Sequence, residues 1–259
     1  MARGRSGGVS SGLVEMAKVA VCIPTFNEKE SIGQTIQGIF ALNRKELLII
    51  VIDDNSPDGT SAVVKGIGER YKDRIVLIER NGKLGLGSAY KAGFQRALEL
   101  GADLIVEMDA DGSHDPGDLP ALIDAVTRDF DLSIGSRWIA GGRIVGWGVH
   151  RYLMSRGAMW FSRIVLGLEP RDVTSGFRCY RKNVVRQLLA TEVSSSGYAF
   201  QEEILYRCQQ YGFRIVEIPI TFRERRFGST KLSWKDVVEF VKVMLFLRFQ
   251  KKISPVGKR

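Results

Sequence analysis

The chain has 259 residues, 44% of them hydrophobic and 26% charged, a balance that builds an ample core and excludes disorder over most of the length. Thirty-eight Lys and Arg against 29 Asp and Glu give a net charge of +9, which suits an anionic partner: nucleic acid, a membrane surface or a phosphorylated substrate. Cys22, Cys179 and Cys208 show neither a paired framework nor metal-like spacing, as expected in a reducing compartment, and His114 and His150 alone exclude a histidine-rich zinc site.

Residues 1–17 are basic and rich in Gly and Ser, without the apolar segment of a secretory signal, and read as a flexible tail on a chain expected at the cytoplasmic side. Beyond them, β-branched runs at 18–23, 47–52, 75–78, 104–108 and 132–136 predict buried, mostly parallel strands. Between these runs, 31–42, 60–71, 88–100 and 119–128 carry helical periodicity, with Asp58 and Ser88 as N-caps. This alternation predicts a doubly wound α/β sheet. After Gly142 the pattern loosens into arginine-rich helices, a short strand within 214–222 and a last helix from 233 to about 250. Its apolar run 237–249, which contains Lys242 and Arg248, is shorter than the roughly 20 residues of a spanning helix. Apolar bulk with flanking cations suits a helix lying in a membrane interface, and equally a terminal helix packed on the sheet.

The positive charge is regional. From Arg137 to Arg186 ten basic residues, nine of them arginine, face only Glu169 and Asp172, and arginine's planar fork suits bidentate phosphate binding. In open α/β sheets ligands bind beyond the carboxyl ends of the strands, which singles out 24–28, 53–58, 81–87, 109–114 and Arg137. At the fourth strand end Asp109-Ala110-Asp111 places two carboxylates on one side of an extended chain, a donor set for Mg²⁺ or Mn²⁺ completed by water and substrate phosphates. At the second, 53–59 gathers Asp53, Asp54 and Asp58, either to receive a base or ribose or to form a capped turn. At the first, Phe26 is placed to border a planar base and Glu28 to take a sugar hydroxyl. Gly85 and Gly87 precede a helix, but Tyr90 stands where a dinucleotide fingerprint needs its third glycine, and no P-loop string exists. His114, behind the acidic loop, reads as structural or as a support to it.

Taken in order, Pro24-Thr25-Phe26-Asn27-Glu28, the Asp53 to Thr60 segment, Gly85-Leu86-Gly87, Asp109-Ala110-Asp111 and Gly135-Ser136-Arg137 resemble a family 2 glycosyltransferase of the GT-A fold. Within that family they are most similar to the dolichol-phosphate (polyprenol-phosphate) mannosyltransferases. Segments around Ser155, 172–178, 197–201 and 225–232 match the same subfamily, so the likeness runs over about 18–234.

The resemblance implies a GT-A catalytic domain over 18–232, with an amphipathic C-terminal helix and basic tail over 233–259. It implies transfer of mannose from GDP-mannose to dolichyl or polyprenyl phosphate, with inversion. Pro24, Phe26, Glu28, Ile52 and Asp54 would surround the guanosine, Asp109, Ala110 and Asp111 would meet ribose, diphosphate and metal, and Arg225 and Lys231 would close over the diphosphate. Arg137, Arg151 and Ser155 would hold the lipid phosphate, with Asp111 and Arg137 assigned to catalysis. The implied cofactor is Mg²⁺ or Mn²⁺ on Asp109, Asp111 and Ser113; the serine departs from the glutamine frequent in the family and is a shorter, weaker ligand. The implied partners are the two substrates, a membrane surface and a small membrane subunit, with no nucleic acid.

The chemistry fits a histidine-poor chain. A phosphate monoester is mostly dianionic near neutrality, so the acceptor is nucleophilic without a general base. Three rival readings remain: the same fold using UDP-glucose, the same fold using a hydroxyl acceptor activated by Glu202 or Glu203, and a basic nucleic-acid-binding module. Against the last, the acidic strand ends repel a polyanion, and no aromatic-rich stretch accompanies the arginines.

Overall fold

The computed structural model describes residues 17–191, 193, 195, 197, 199–225 and 234–250. The N-terminal tail up to residue 16, Lys231 and the basic tail over 251–259 lie outside the described residues. β1 (Val19–Thr25), α1 (Lys29–Ala41), β2 (Leu47–Asp53), α2 (Thr60–Arg70), β3 (Ile75–Glu79), α3 (Leu86–Glu99) and β4 (Leu104–Glu107) alternate as their hydrophobic patterns require. A 3₁₀ turn at Pro116–Asp118, α4 (Leu119–Arg128), β5 (Leu132–Ser136), β6 (Arg143–Val145) and α5 (Val149–Leu166) follow. The chain continues with β7 (Arg178–Arg181), α6 (Lys182–Leu189), α7 (Phe200–Gln210), β8 (Ile215–Pro219), β9 (Thr221–Arg223) and α8 (Trp234–Phe249).

Seven strands form one sheet in the order β3-β2-β1-β4-β7-β5-β8, parallel except for β7, which is antiparallel to both its neighbours. Strand alternation divides the core between the two faces: Ala20, Cys22, Ile50 and Ile52 pack on one side, Val21, Ile23, Ile49 and Val51 on the other. The chain runs from β1 outward to β3 and then returns to place β4 on the other side of β1. That reversal opens a crevice between the carboxyl ends of β1 and β4. All three cysteines are buried and free.

The structure departs from sequence expectation in four places. β7 lies in a stretch that reads as helical because Arg178 and Arg181 interrupt its apolar pattern; Arg178 is nevertheless fully buried, donating to the carbonyls of Ser175, Gln201 and Val173. The strand expected within 214–222 is two strands, β8 ending at Pro219 and β9 pairing with β6 in a separate two-stranded sheet. Proline has no N–H to donate, which suits a strand end. Asp58 sits one position ahead of the α2 N-cap, which is Gly59 at φ 92, although it still accepts from Thr60 N at 2.9 Å. Ser88 lies inside the first turn of α3, whose N-cap is Gly85; its hydroxyl bonds back to the Leu84 and Gly85 carbonyls.

α8 packs one face on α5, burying Met244 and Leu247, and leaves Leu245, Phe246 and Phe249 exposed. On α5, Val149, Leu153, Trp160 and Ile164 are exposed as well. No helix among the described residues is long and apolar enough to cross a membrane.

Candidate active site

Carboxylates collect in the crevice between β1 and β4. The loop after β1 turns through Asn27 in the left-handed region (φ 61), and three backbone N–H groups there donate to the loop after β2: Asn27 to Ser56 Oγ, Glu28 to Thr60 Oγ1 and Lys29 to Asp58 Oδ2, each at 3.0 Å. Glu28 is thereby fixed at the head of α1. Its pKa is raised, first by burial, against a hydrogen bond from Ser31 at 2.7 Å, and further by the charges of Asp111 and Asp109. Asp109 and Asp111 stand opposite, past β4. Asp109 is 38% exposed, yet protein surrounds it closely enough that desolvation first, and repulsion by Asp111 second, raise its pKa to about 7. Because water reaches its open side, repulsion is the firmer cause of the two. Among the described residues the nearest cation is Arg225, 3.6 Å from Asp111 Oδ2.

The loop is stiffened from below. Ser113 N donates to Asp111 Oδ1 at 3.0 Å, and Asp109 N donates to His114 Nδ1 at 3.1 Å. A ring nitrogen that accepts leaves its proton on Nε2, and burial lowers the pKa of this imidazole to about 4, so His114 is a neutral support stacked on Phe177. Ala110 is buried, with its carbonyl accepting from Thr35.

Nucleoside-side residues divide into open and committed groups. Pro24 and Phe26 are part-exposed, and Lys83 Nζ lies 4.6 Å from the Phe26 ring centroid. Ile52 is fully buried in the core, so only its main chain borders the crevice. Asp53 accepts from Thr25, Ser56 and Ser61 and organises the turn. Asp54 is spoken for as well: its Oδ1 receives Arg80 Nε at 2.6 Å and its Oδ2 receives Leu84 N at 3.2 Å. The aspartates after β2 therefore build the turn and anchor the next loop.

The acceptor candidates meet around an indole. Arg137, only 8% exposed, donates Nε and Nη2 to Asp172 at 2.7 and 2.6 Å, and Nη2 also to Thr174. Its guanidinium lies 5.1 Å from the Phe222 ring and 5.5 Å from Trp147. Arg151, on α5, lies 4.4 Å from the opposing Trp147 ring and pairs with Glu224. Ser155 is one helical turn further along the same side. Gly142 closes the turn after Arg137, where a Cβ would stand 2.6 Å from the Ser136 carbonyl. Arginine and aromatic side chains are thus interleaved here, contrary to the expectation from sequence, because Phe222 arrives from β9 and the indoles from loops. Trp147, Phe222, Glu224 and Arg80 were not singled out by the sequence; only Trp147, set between Gly146 and Gly148, carries a local signal.

Glu202 and Glu203 offer no ready base for a hydroxyl acceptor. Glu203 accepts from Arg207 at 2.6 Å and from Ser195 N at 2.8 Å. Glu202 is 1% exposed, and burial raises its pKa to about 8, so it is protonated at neutrality.

The donor set fits a divalent cation. Two crowded carboxylates, with one arginine at 3.6 Å among the described residues, make a site that suits a cation, and hard oxygen ligands suit Mg²⁺ or Mn²⁺. No cluster of three or more His, Cys, Asp or Glu able to hold a metal occurs among the described residues, so a metal held by these two carboxylates would draw further ligands from water and substrate. Ser113 Oγ is buried without a hydrogen-bond partner, beside these carboxylates in sequence but removed from solvent.

Comparison with known proteins identifies the family and the fold. The family described as Glycosyl transferase family 2 matches residues 20–189. Polyprenol monophosphomannose synthase of Mycolicibacterium smegmatis is 41% identical over 222 residues, covering 86% of this chain and 83% of the relative. Undecaprenyl-phosphate mannosyltransferase of Micrococcus luteus is 43% identical over 224 residues, covering 86% and 91%. Among solved structures, glucosyl-3-phosphoglycerate synthase of Mycobacterium tuberculosis in complex with UDP superposes with a TM-score of 0.68 at 18% identity, over 90% of this chain and 80% of that one. The same enzyme with Mn²⁺, UDP-glucose and phosphoglyceric acid gives 0.66 at 19%, over the same shares of the two chains. At these identities the superpositions speak for the GT-A fold.

Proposed function

The chain belongs to glycosyl transferase family 2, and from that membership we propose that it transfers mannose from GDP-mannose to dolichyl or polyprenyl phosphate, with inversion, giving a β-linked product. The observation that carries this reading is the pairing of two opposite poles at one end of the sheet: two crowded carboxylates at Asp109 and Asp111, and arginines gathered around Trp147. The names of the two relatives, a polyprenol monophosphomannose synthase and an undecaprenyl-phosphate mannosyltransferase, supply the sugar and the class of acceptor.

In this reading Pro24, Phe26 and the main chain at Ile52 border the base, while Glu28 takes a sugar hydroxyl. Asp109 and Asp111, with Ser113 behind them, hold Mg²⁺ or Mn²⁺, which supplies Lewis-acid neutralisation of the departing diphosphate. Arg225 takes the same diphosphate, the role that the resemblance also gives to Lys231, which lies outside the described residues. Arg151 and Ser155 receive the lipid phosphate together with Arg137, whose Nε and Nη2 are held by Asp172 while Nη1 has no partner among the described residues. The arginines lower the repulsion between two anionic substrates and orient the dianionic phosphate for in-line attack. Neutral His114 and protonated Glu202 are consistent with a reaction that needs no general base.

The acceptor's lipid tail stays in a bilayer, so the enzyme works at the membrane surface. Exposed Val149, Leu153, Trp160 and Ile164 on α5 and Leu245, Phe246 and Phe249 on α8 supply apolar contact, and Arg156, Lys242 and Arg248 supply attraction to anionic lipid. The decisive assay pairs purified protein with labelled GDP-mannose or UDP-glucose, a polyprenyl phosphate and either Mg²⁺ or excess EDTA. Mannose transfer that stops with EDTA is expected. A preference for UDP-glucose refutes the donor, and undiminished turnover in EDTA refutes the metal. Flotation with anionic liposomes is expected for the full chain; failure to float refutes direct interfacial binding and favours a membrane subunit.

A further inference from the structure

The transferred sugar has to lie between the two poles, and the segment 172–177 runs from one to the other. Asp172 and Thr174 hold Arg137 at its acceptor end. At its donor end Gly176 lies beside Asp109, and Phe177 stacks beneath His114. A Cβ on Gly176 would stand 3.5 and 3.7 Å from the two Asp109 carboxylate oxygens and 3.6 Å from Gln201 Nε2. Bare backbone therefore leaves room at the one point that the metal-side carboxylate and the Gln201 amide both approach.

Gln201 is 6% exposed, and neither Oε1 nor Nε2 has a hydrogen-bond partner, although a buried carboxamide offers two donors and an acceptor. Leaving such a group without a well-formed hydrogen bond is costly, so its amide is available to a partner that arrives at the site. Its own main chain is pinned: Arg178, fully buried, donates Nη1 to the Gln201 carbonyl at 2.8 Å, fixing the first turn of α7 against the floor of the site. The carboxyl of Glu107 is the nearby protein alternative: burial raises its pKa to about 7, and the Gln201 amide lies close enough to offset part of that rise, but the two do not meet in good hydrogen-bond geometry.

We infer that Gln201 is a specificity-determining residue whose side-chain amide hydrogen-bonds a hydroxyl of the donor's hexose over Gly176. The inference rests on the reading of Asp109 and Asp111 as the donor-diphosphate site. A site built around a hydroxyl discriminates strongly against a sugar that lacks it, because the amide is then left buried and unpaired.

The test is calorimetric and uses the full chain with Mg²⁺, comparing wild type with Gln201→Met, which keeps the side-chain length and removes the amide. GDP affinity should stay within about twofold, while GDP-mannose affinity should fall about tenfold or more. The same pair of titrations with UDP and UDP-glucose separates the two claims. A wild type that prefers UDP-glucose overturns the donor assignment, and the difference between nucleotide and nucleotide sugar at Gln201 is then read with that donor. Equal weakening of nucleotide and nucleotide sugar makes Gln201 a support for the carboxylates and overturns the inference; so does no weakening of either. If Gln201→Met does not fold, Gln201→Asn, which retains an amide but withdraws it by one methylene, is judged by the same difference.

Discussion

The two poles of the crevice solve opposite electrostatic problems. At the donor pole, Asp109 and Asp111 repel each other across a part-open loop, with Arg225 as the nearest cation among the described residues. At the acceptor pole, each arginine already has a carboxylate of its own: Asp172 for Arg137 and Glu224 for Arg151. The first is a pair of like charges that a cation would relieve; the second is a set of cations held against aromatic rings, Arg137 buried and Arg151 about a third exposed. Substitutions at Asp109 and Asp111 should therefore act on activity with little loss of fold, whereas those that touch the buried Arg137–Asp172 pair should act on both.

The largest expected effect is at Asp111. Asp111→Ala removes a part-exposed carboxylate from the proposed metal site and should lower turnover by about a hundredfold or more while leaving the thermal midpoint nearly unchanged. Ser113→Ala should cost less than about tenfold, since a hydroxyl offers only a dipole. Equal losses in steady-state assays would mean that the serine is as strong a ligand as the aspartate.

Next comes Asp172→Ala, which strands the buried guanidinium of Arg137. Removing one partner of a buried pair costs about 3–5 kcal/mol, so the denaturant midpoint should fall together with acceptor use. A variant with unchanged stability would mean that Arg137 is free to turn toward solvent, and the contrast between the poles would fail.

A smaller effect is expected from Glu202 and appears as pH dependence. Its pKa is raised from 4.5 to about 8, so the folded chain keeps a proton that the unfolded chain gives up over that interval. The associated stability is complete below 4.5 and is lost as pH rises through about 8. Glu107, raised to about 7, shares part of the window. Glu202→Gln should flatten the decline in denaturant midpoint between about pH 5 and pH 8, by at most about 1.4 kcal/mol per pH unit. An unchanged slope would assign the dependence to the other buried acids.

The smallest effect belongs to Glu224. It and Arg151 are each about a third exposed, and such pairs contribute about 0.2–1 kcal/mol, so Glu224→Ala should scarcely change stability. Freed of its partner, Arg151 should bind the acceptor more tightly, read as a lower KM for polyprenyl phosphate. A raised KM would instead show that Glu224 holds Arg151 in its binding position.

The first half of the fold and the placing of acidic residues at strand ends are legible in the sequence. Apolar runs at a period of two and helices at 3.6 are local patterns, and Glu28, Asp109 and Asp111 are legible because they follow strand ends, where an open parallel sheet presents its ligands. Tertiary structure alone decided which of the polar residues are available. Asp53 and Asp54 look like free carboxylates in the string, but Thr25, Ser61 and Arg80, brought in from other elements, occupy them. Arg178 looks like one more phosphate ligand until the antiparallel β7 carries it into the core, where three carbonyls satisfy it. Trp147 and Phe222 become neighbours of Arg137 only once β9 has paired with β6. Gln201 ends a segment, 197–201, that matches the family pattern, but its place beside the bare backbone of Gly176 comes only with folding. Strand and helix propensity are written in neighbouring residues, whereas the partner of a charged or polar group is supplied by whatever the fold packs against it, and that is a property of the whole chain.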